Sequence, residues 1–240
     1  EYRALTSKGA YQITGYATRS RRTAIFGADP TTQEDFRGYV FANGRLQLSP
    51  KWSFTSSIRR ATDRTFLRRY DIDRDDRLRS MAELERIGTN SYFSLAGWTT
   101  QTMRIGENQG QMPVALPAVD YRQRVPDPFF GGRIEVQANS LAILRSDGQD
   151  TQRAFARAQW DLRRILGGGQ EVTLTGLVRG DIYHSRENEL TETAASRGNP
   201  DCETPAIALA ALDVKWPFLG RALGGTQVFT PRAQLVATPP

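Results

Sequence analysis

The chain has 240 residues, 39% of them hydrophobic, and a mean hydropathy of −0.51. No run nears the roughly 18 apolar residues of a membrane helix, which excludes helical insertion but not strands that turn only every second residue toward lipid. Cys202 is the only cysteine and the formal charge is +6; a disulfide framework and a cysteine zinc site within the segment are therefore excluded.

Read in order, the chain gives about twelve segments of alternating polarity. Candidate strands cover 1–7 and 10–19. The next run opposes Phe36, Val40, Ala42, Leu46 and Leu48 to Arg37, Asn43, Arg45 and Gln47. Trp52, Phe54 and Ile58 follow the Ser49-Pro50 turn. Further strands are expected over 77–87, 91–104 and 117–125. Over 133–145, Ile134, Val136, Ala138, Ala142 and Leu144 oppose Glu135, Gln137 and Asn139. Over 153–163, Ala154, Ala156, Ala158, Trp160 and Leu162 oppose Arg153, Arg157, Gln159, Asp161 and Arg163. Beyond the triple glycine, Val172, Leu174, Gly176, Val178 and Ile182 oppose Glu171, Thr173, Thr175, Arg179 and Asp181. Residues 206–218 align Ala208, Ala210, Leu212, Val214, Trp216 and Phe218, and a last strand is expected over 226–238. This period of two belongs to pleated strands. Helical spacing competes only near 77–87 and 151–166, and strict alternation favours a strand in the second.

The joints alternate as well. Tight ones fall at Ser7-Lys8-Gly9, Ser49-Pro50, Gly88-Thr89-Asn90, 126–132 and Gly167-Gly168-Gly169; longer polar loops are expected near 20–35, 62–76, 105–116, 146–152 and 185–204. Short turns at one end and long loops at the other are the pattern of an outer-membrane β-barrel. The expected fold is all-β: an antiparallel up-and-down meander of about twelve strands, part of a large transmembrane barrel. Trp52, Tyr92, Trp216 and Phe218 lie beside inferred short turns, and Phe129 and Phe130 lie within one, as an interfacial aromatic girdle would. The polar faces then line a lumen (Arg37, Arg45, Arg133, Glu135, Arg153, Arg157, Arg163, Arg179). The apolar faces meet lipid (Val136, Trp160, Val172, Leu174, Val178, Leu212, Val214).

No residue set carries a catalytic, metal or cofactor signature. His184 and Ser185 are strand neighbours and point to opposite faces, which suits no Ser-His pair. Asp71, Asp73 and Asp75 resemble the start of a calcium loop, but Asp76 and Ala82 stand where that loop needs Gly and Glu; pairing with Arg68, Arg69, Arg74 and Arg77 is expected instead. The triple glycine lacks a phosphate-loop context and reads as a hairpin turn. Lys8, Lys51 and Lys215 are the only lysines among 32 basic residues, and the arginines can fork onto phosphate or carboxylate. They are spread along every strand without a basic helix or an aromatic RNA-binding motif, so nucleic acid is not an expected partner.

Residues 66–72 (Phe-Leu-Arg-Arg-Tyr-Asp-Ile) and 91–98 (Ser-Tyr-Phe-Ser-Leu-Ala-Gly-Trp) carry a family likeness. So do the stretch from Gly132 through Asn139-Ser140-Leu141 to 149–153 and the ending 229–236 (Phe-Thr-Pro-Arg-Ala-Gln-Leu-Val). Together they resemble the LptD family of outer-membrane lipopolysaccharide-assembly proteins (the organic-solvent-tolerance family), in its alphaproteobacterial form. The resemblance implies a role in inserting lipopolysaccharide, or an equivalent glycolipid, into the outer leaflet of the bacterial outer membrane, with no enzymatic activity. Its implied partners are the glycolipid, an LptE-type plug lipoprotein, outer-membrane lipid, and the periplasmic Lpt bridge proteins, the last through an N-terminal jellyroll preceding Glu1. It further implies that residues 1–240 are one part of the barrel, with closing strands after Pro240. The family's gate residues and long-range disulfides have no counterpart here, and Cys202, in an inferred extracellular loop, reads as a free thiol. Two other readings stay open: a porin-like channel constricted by an inward-folded loop, for which 185–204 is the longest candidate, and a soluble β-sandwich that binds carbohydrate.

Overall fold

The computed structural model describes residues 1–21, 34–128, 130–190, 202–222 and 224–239. The girdle candidate Phe129 and most of the expected loops 20–35 and 185–204 lie outside them.

Eleven consecutive strands pair with their neighbours in chain order: β1 (Tyr2–Thr6), β2 (Gly9–Ser20), β3 (Asp35–Ser49), β4 (Trp52–Ala61), β5 (Arg77–Ile87), β6 (Ser91–Thr102), β7 (Val114–Pro126), β8 (Arg133–Leu144), β9 (Asp150–Ile165), β10 (Glu171–Arg186) and β11 (Ala206–Lys215). A hairpin of β12 (Phe218–Ala222) and β13 (Gly225–Phe229) intervenes before β14 (Arg232–Ala237) completes a twelve-stranded antiparallel sheet beside β11. Both segments with competing helical spacing are strands. At 15, 16 and 16 residues, β3, β9 and β10 exceed the roughly 9–11 that cross a bilayer at a barrel's tilt.

Short turns gather at one end. The turn after β9 closes with Leu166 N–H donating to the Gln170 carbonyl at 2.8 Å, and Gly169 takes a φ of +83° that a side chain would oppose. In the 127–132 joint, a Cβ on Gly132 would sit 2.5 Å from the Asp161 carbonyl oxygen, so the β7–β8 turn can lie against β9 only with glycine there.

The structure departs from the sequence expectation at three connections. The runs 206–218 and 226–238 are not two plain strands. Pro217 and Pro231, which have no N–H to donate to a ladder, stand at the base of the inserted hairpin, and Trp216 N–H bonds the Pro231 carbonyl at 3.0 Å. The β8–β9 connection is only 145–149, no longer than the joint at the opposite end, because Asp150 Oδ1 accepts the Arg145 N–H at 2.7 Å and pinches the turn. The 62–76 loop is not merely polar: it holds a short helix, α1 (Phe66–Arg69), with Phe66 and Leu67 buried.

Apart from Ala115, the buried apolar side chains form one cluster at the long-loop end: Tyr39, Ala61, Phe66, Leu67, Leu78 and Met103. A sandwich would bury an apolar sheet face against a second sheet. Here that face stays open, with Val178 57% and Leu235 70% exposed, and the only other sheet among the described residues is the β12–β13 hairpin.

Candidate functional site: a two-faced sheet and the loop on its polar face

Register fixes which side chains are neighbours. Val136 pairs with Ala158, and Ala158 with Val178; Trp160 lies between Ile134 and Gly176; Leu174 faces Leu212 and Val172 faces Val214. The seven residues expected to meet lipid therefore share one face of β8–β11. The same face continues through Leu95, Leu84, Phe54 and Leu46 to β3.

The opposite face carries all eight residues expected to line a lumen, most of them in ion pairs. Arg45 meets Glu85 at 3.4 Å, Arg124 meets Glu135 at 3.6 Å and Arg133 meets Asp161 at 3.6 Å. Arg163 meets Glu171 at 2.6 Å, and Arg179 meets Asp181 at 2.6 Å while stacking over Phe155. Arg157 bonds Gln159, whose amide passes the contact on to Asp161 at 2.9 Å. Arg153 is exposed on the same face, opposite Leu141. The face is thus charged but internally compensated, with donors and acceptors paired across strands.

Arg37 differs from the other arginines. It is 1% exposed, its Nε and Nη2 fork onto Asp63 at 2.8 and 2.9 Å, and Nη2 also donates to Thr65 Oγ1 at 2.8 Å. Its guanidinium lies 5.7 Å from the centre of the Phe66 ring, and Nη1 is buried without a partner among the described residues. Burial alone would raise the Asp63 carboxyl. The hydrogen bonds from Arg37, from the Thr65 hydroxyl and from the Thr65 N–H outweigh it and hold that carboxyl at about 2. Tyr39 and Phe41, on the same face as Arg37, receive the helix; α1 therefore sits on the polar side of the sheet.

Ion pairs tie down the rest of this loop. Arg59, which also donates to Tyr39 Oη at 3.1 Å, binds Asp73 and, at 2.7 Å, Asp75. Asp76 takes Arg68 and Arg104, and Glu107 takes Arg104 and Arg77 at 3.3 and 3.6 Å. Within the acidic run Asp71 pairs with Arg74 at 3.1 Å, one of the four arginines the sequence suggested, whereas Asp73 and Asp75 are taken by Arg59 and Arg77 turns to Glu107. Asp63, Thr65, Arg59 and Met103 were missed; the legible signal was the apolar pair Phe66-Leu67 inside a polar loop.

At the short-turn end the aromatics divide between the faces. Trp52 packs against Phe93, with ring centres 6.1 Å apart. Tyr92, a girdle candidate, pairs with Arg122 and lies under its guanidinium on the polar face. The period of two makes Phe93, not Tyr92, the apolar-face aromatic of β6. Trp216 packs on Phe218 at 4.9 Å, and Phe130 on Trp160 at 5.6 Å. Two indoles repeat one contact, each donating to a glycine carbonyl in the turn one hairpin back: Trp160 to Gly131 at 2.8 Å and Trp216 to Gly168 at 2.9 Å.

His184 and Ser185 fall on opposite faces, opposite Gln152 and Thr151, and His184 Nε2 accepts from Arg186 at 3.0 Å. Cys202 is an exposed free thiol. The family model described as "LptD: LPS transport system D" matches residues 35–240. No curated protein matches the chain.

Proposed function

The chain belongs to the LptD family, and from that premise we propose that its sheet is one stretch of the barrel wall in the outer-membrane machine that inserts lipopolysaccharide, or an equivalent glycolipid, into the outer leaflet. The family role is lipopolysaccharide transport at the outer membrane and not enzymatic catalysis. The observation that carries the reading is the sorting of residues by register: an exposed apolar face and an ion-paired polar face on the same strands.

Lipopolysaccharide joins charged sugars to acyl chains. Moving the sugars through hydrocarbon would strip polar groups of water at several kcal/mol each. A wall with a hydrated face and an apolar face keeps both parts of the molecule in suitable surroundings. In this reading Arg37, Arg45, Arg133, Glu135, Arg153, Arg157, Arg163 and Arg179 face the lumen. Val136, Trp160, Val172, Leu174, Val178, Leu212 and Val214 face lipid. Trp52, Phe93, Trp216 and Phe218 form the girdle at the periplasmic interface. Among the described residues β1 and β14 each pair on one side only; in this reading further strands of the same barrel cover those edges, since an open edge is not viable in a membrane. A jellyroll preceding Glu1 receives the glycolipid from the periplasmic bridge, and an LptE-type lipoprotein fills the lumen against the polar face. The alphaproteobacterial form of the family is the one proposed.

The porin-like alternative gains one observation, the 62–76 loop packed on the polar face. Family membership favours the transport reading, in which that loop narrows the lumen at the extracellular end.

The test is a cysteine scan of the full-length protein in cells, after Cys202→Ser. Cysteines at positions 172, 174 and 178 are expected to react only with a lipid-phase thiol reagent, and those at 173, 175 and 179 only with a membrane-impermeant one. Uniform labelling or uniform protection of both sets would remove the sheet from the membrane and this reading with it.

A further inference from the structure

The β4–β5 ladder is incomplete. The strands pair from Trp52 and Arg86 to Ser57 and Met81 and no further, although β4 runs on to Ala61 and β5 begins at Arg77. Backbone groups abandoned in hydrocarbon would each cost several kcal/mol. Two side chains take them up. Ser80 Oγ accepts the Arg59 N–H at 2.9 Å and donates to the Arg59 carbonyl at 3.1 Å. The Gln101 amide, reaching over from β6, accepts the Ala61 N–H at 3.0 Å and donates to the Ala61 carbonyl at 2.8 Å. The backbone N–H and C=O of Arg59 and Ala61 are therefore satisfied where the ladder stops.

On the apolar face the split opens a groove of about 500 Å³. Ser56 and Ala82 pair across β4 and β5 and leave room at its middle, while Leu116 lies over Gly97 of β6. Phe54, Leu84 and Leu95 bank it on the short-turn side, Ile58 and Leu116 toward the long loops. One pleat beyond Ile58, about 7 Å along the strand, stands Arg60. Its pairing with Val40 puts it on the apolar face. It is exposed and has no hydrogen bond or ion pair among the described residues, unlike most arginines of the polar face. An arginine on the lipid side of a barrel is tolerated near the interface and disfavoured at mid-depth, and its stem can run along apolar surface while the head reaches the polar boundary.

We propose that this groove and Arg60 form a lipid site on the outside of the barrel, where one acyl chain of lipopolysaccharide in the outer leaflet lies across β4–β6 and Arg60 forks onto a lipid phosphate. The argument is charge complementarity. An apolar trough ending at an unpaired guanidinium, at the end of the sheet that carries the long loops, matches a lipid that is acylated and anionic. The inference rests on the apolar face being the lipid face, as proposed above. It concerns the delivered product and not the path through the lumen.

The test places a photoreactive amino acid at Leu116, beside the groove, or at Val178, on the same face away from it, in the full-length protein in cells. Lipopolysaccharide adducts at Leu116 are expected about fivefold above those at Val178, the scale of one basic side chain at a membrane surface. Arg60→Gln is expected to bring Leu116 down to the Val178 level; Ala82→Leu, which fills the groove, is expected to do the same with Arg60 intact. Equal adducts at both positions in the unaltered protein, an adduct that is phospholipid, or indifference to Arg60→Gln would overturn the site. Surface display of lipopolysaccharide, measured in the same cells, separates the two readings. Normal display without an Arg60-dependent adduct removes only the groove; an Arg60-dependent adduct without any contribution to display removes only the transport reading.

Discussion

Strands β3 to β6 and strands β8 to β11 share one sheet but are held in different ways. At the long-loop end of the first group, Tyr39, Ala61, Phe66, Leu67, Leu78 and Met103 bury one another, and the forked Arg37–Asp63 pair joins the loop to β3. In the second group the only buried side chains among the described residues are Asp181 and Asp213. Order there comes from long ladders, β9 pairing with β10 over its whole length, and from ion pairs across the pleat. One group contains a small water-excluding core of the kind found in soluble domains. The other leaves its apolar face to the surroundings. The loop end of β3–β6 is therefore self-supporting, whereas β8–β11 has no apolar core of its own among the described residues and is held by pairing with neighbouring strands.

The largest effect is expected at Arg37. Arg37→Ala leaves the Asp63 carboxylate buried without its partner, a change of about 3–5 kcal/mol. Amide exchange across 62–76 is expected to speed up strongly in the full-length protein in detergent, while β8–β11 keeps its protection. Equal loss in both groups would show that the core does not stand alone. Leu67→Ala, at a side chain only 1% exposed, removes packing worth about 2–4 kcal/mol and is expected to loosen the same segment. Val178→Ala, on the open face, is expected to leave exchange in detergent nearly unchanged.

A pH titration sharpens the contrast further. The Asp63 carboxyl is held at about 2, below its ordinary 3.8. A carboxyl lowered on folding stabilises the folded loop fully above its unfolded value and loses that contribution as pH falls through the folded one. The groups facing it are Arg37, which stays charged, and Thr65, which does not titrate here. The loop is therefore expected to stay docked down to about pH 4 and to lose roughly 2 kcal/mol of docking between pH 4 and 2, read as protease sensitivity of 62–76. In Asp63→Asn that acid-dependent step is expected to vanish.

How much of this was readable beforehand follows from where each signal resides. The faces of β8–β11 were legible because strict alternation from Ile134 to Val214 needs no knowledge of partners. Tyr92 was a girdle candidate because nearness to a turn was weighed above parity; Leu95 and Gly97 share the parity of Phe93, and Tyr92 that of the polar face. Pro217 and Pro231 marked interruptions, but alternation continues across Trp216 and Phe218, so the hairpin between them stayed hidden. The core was the least legible. Helix α1 is too short to have a period, and it is held by contacts with Asp63, Tyr39 and Met103 that are distant in sequence or polar in type. The groove was invisible for a related reason: it arises from pairing that stops at Ser57 and Met81, and no local pattern announces where a ladder ends.

The smallest effect expected belongs to the ladder of exposed pairs. Arg163 meets Glu171 at 2.6 Å, yet its side chain is 64% exposed, and water weakens the attraction to the range of about 0–1 kcal/mol. Glu171 also has Lys215 at 3.8 Å, which retains part of the interaction when the arginine is lost. Arg163→Gln is therefore expected to change thermal stability in detergent by less than about 0.5 kcal/mol. A larger loss would mean that the polar face lies in a medium drier than water, as it would if a plug packed closely on β9 and β10. Repeating the measurement with and without an added LptE-type lipoprotein turns this small number into a test of the plug proposed above.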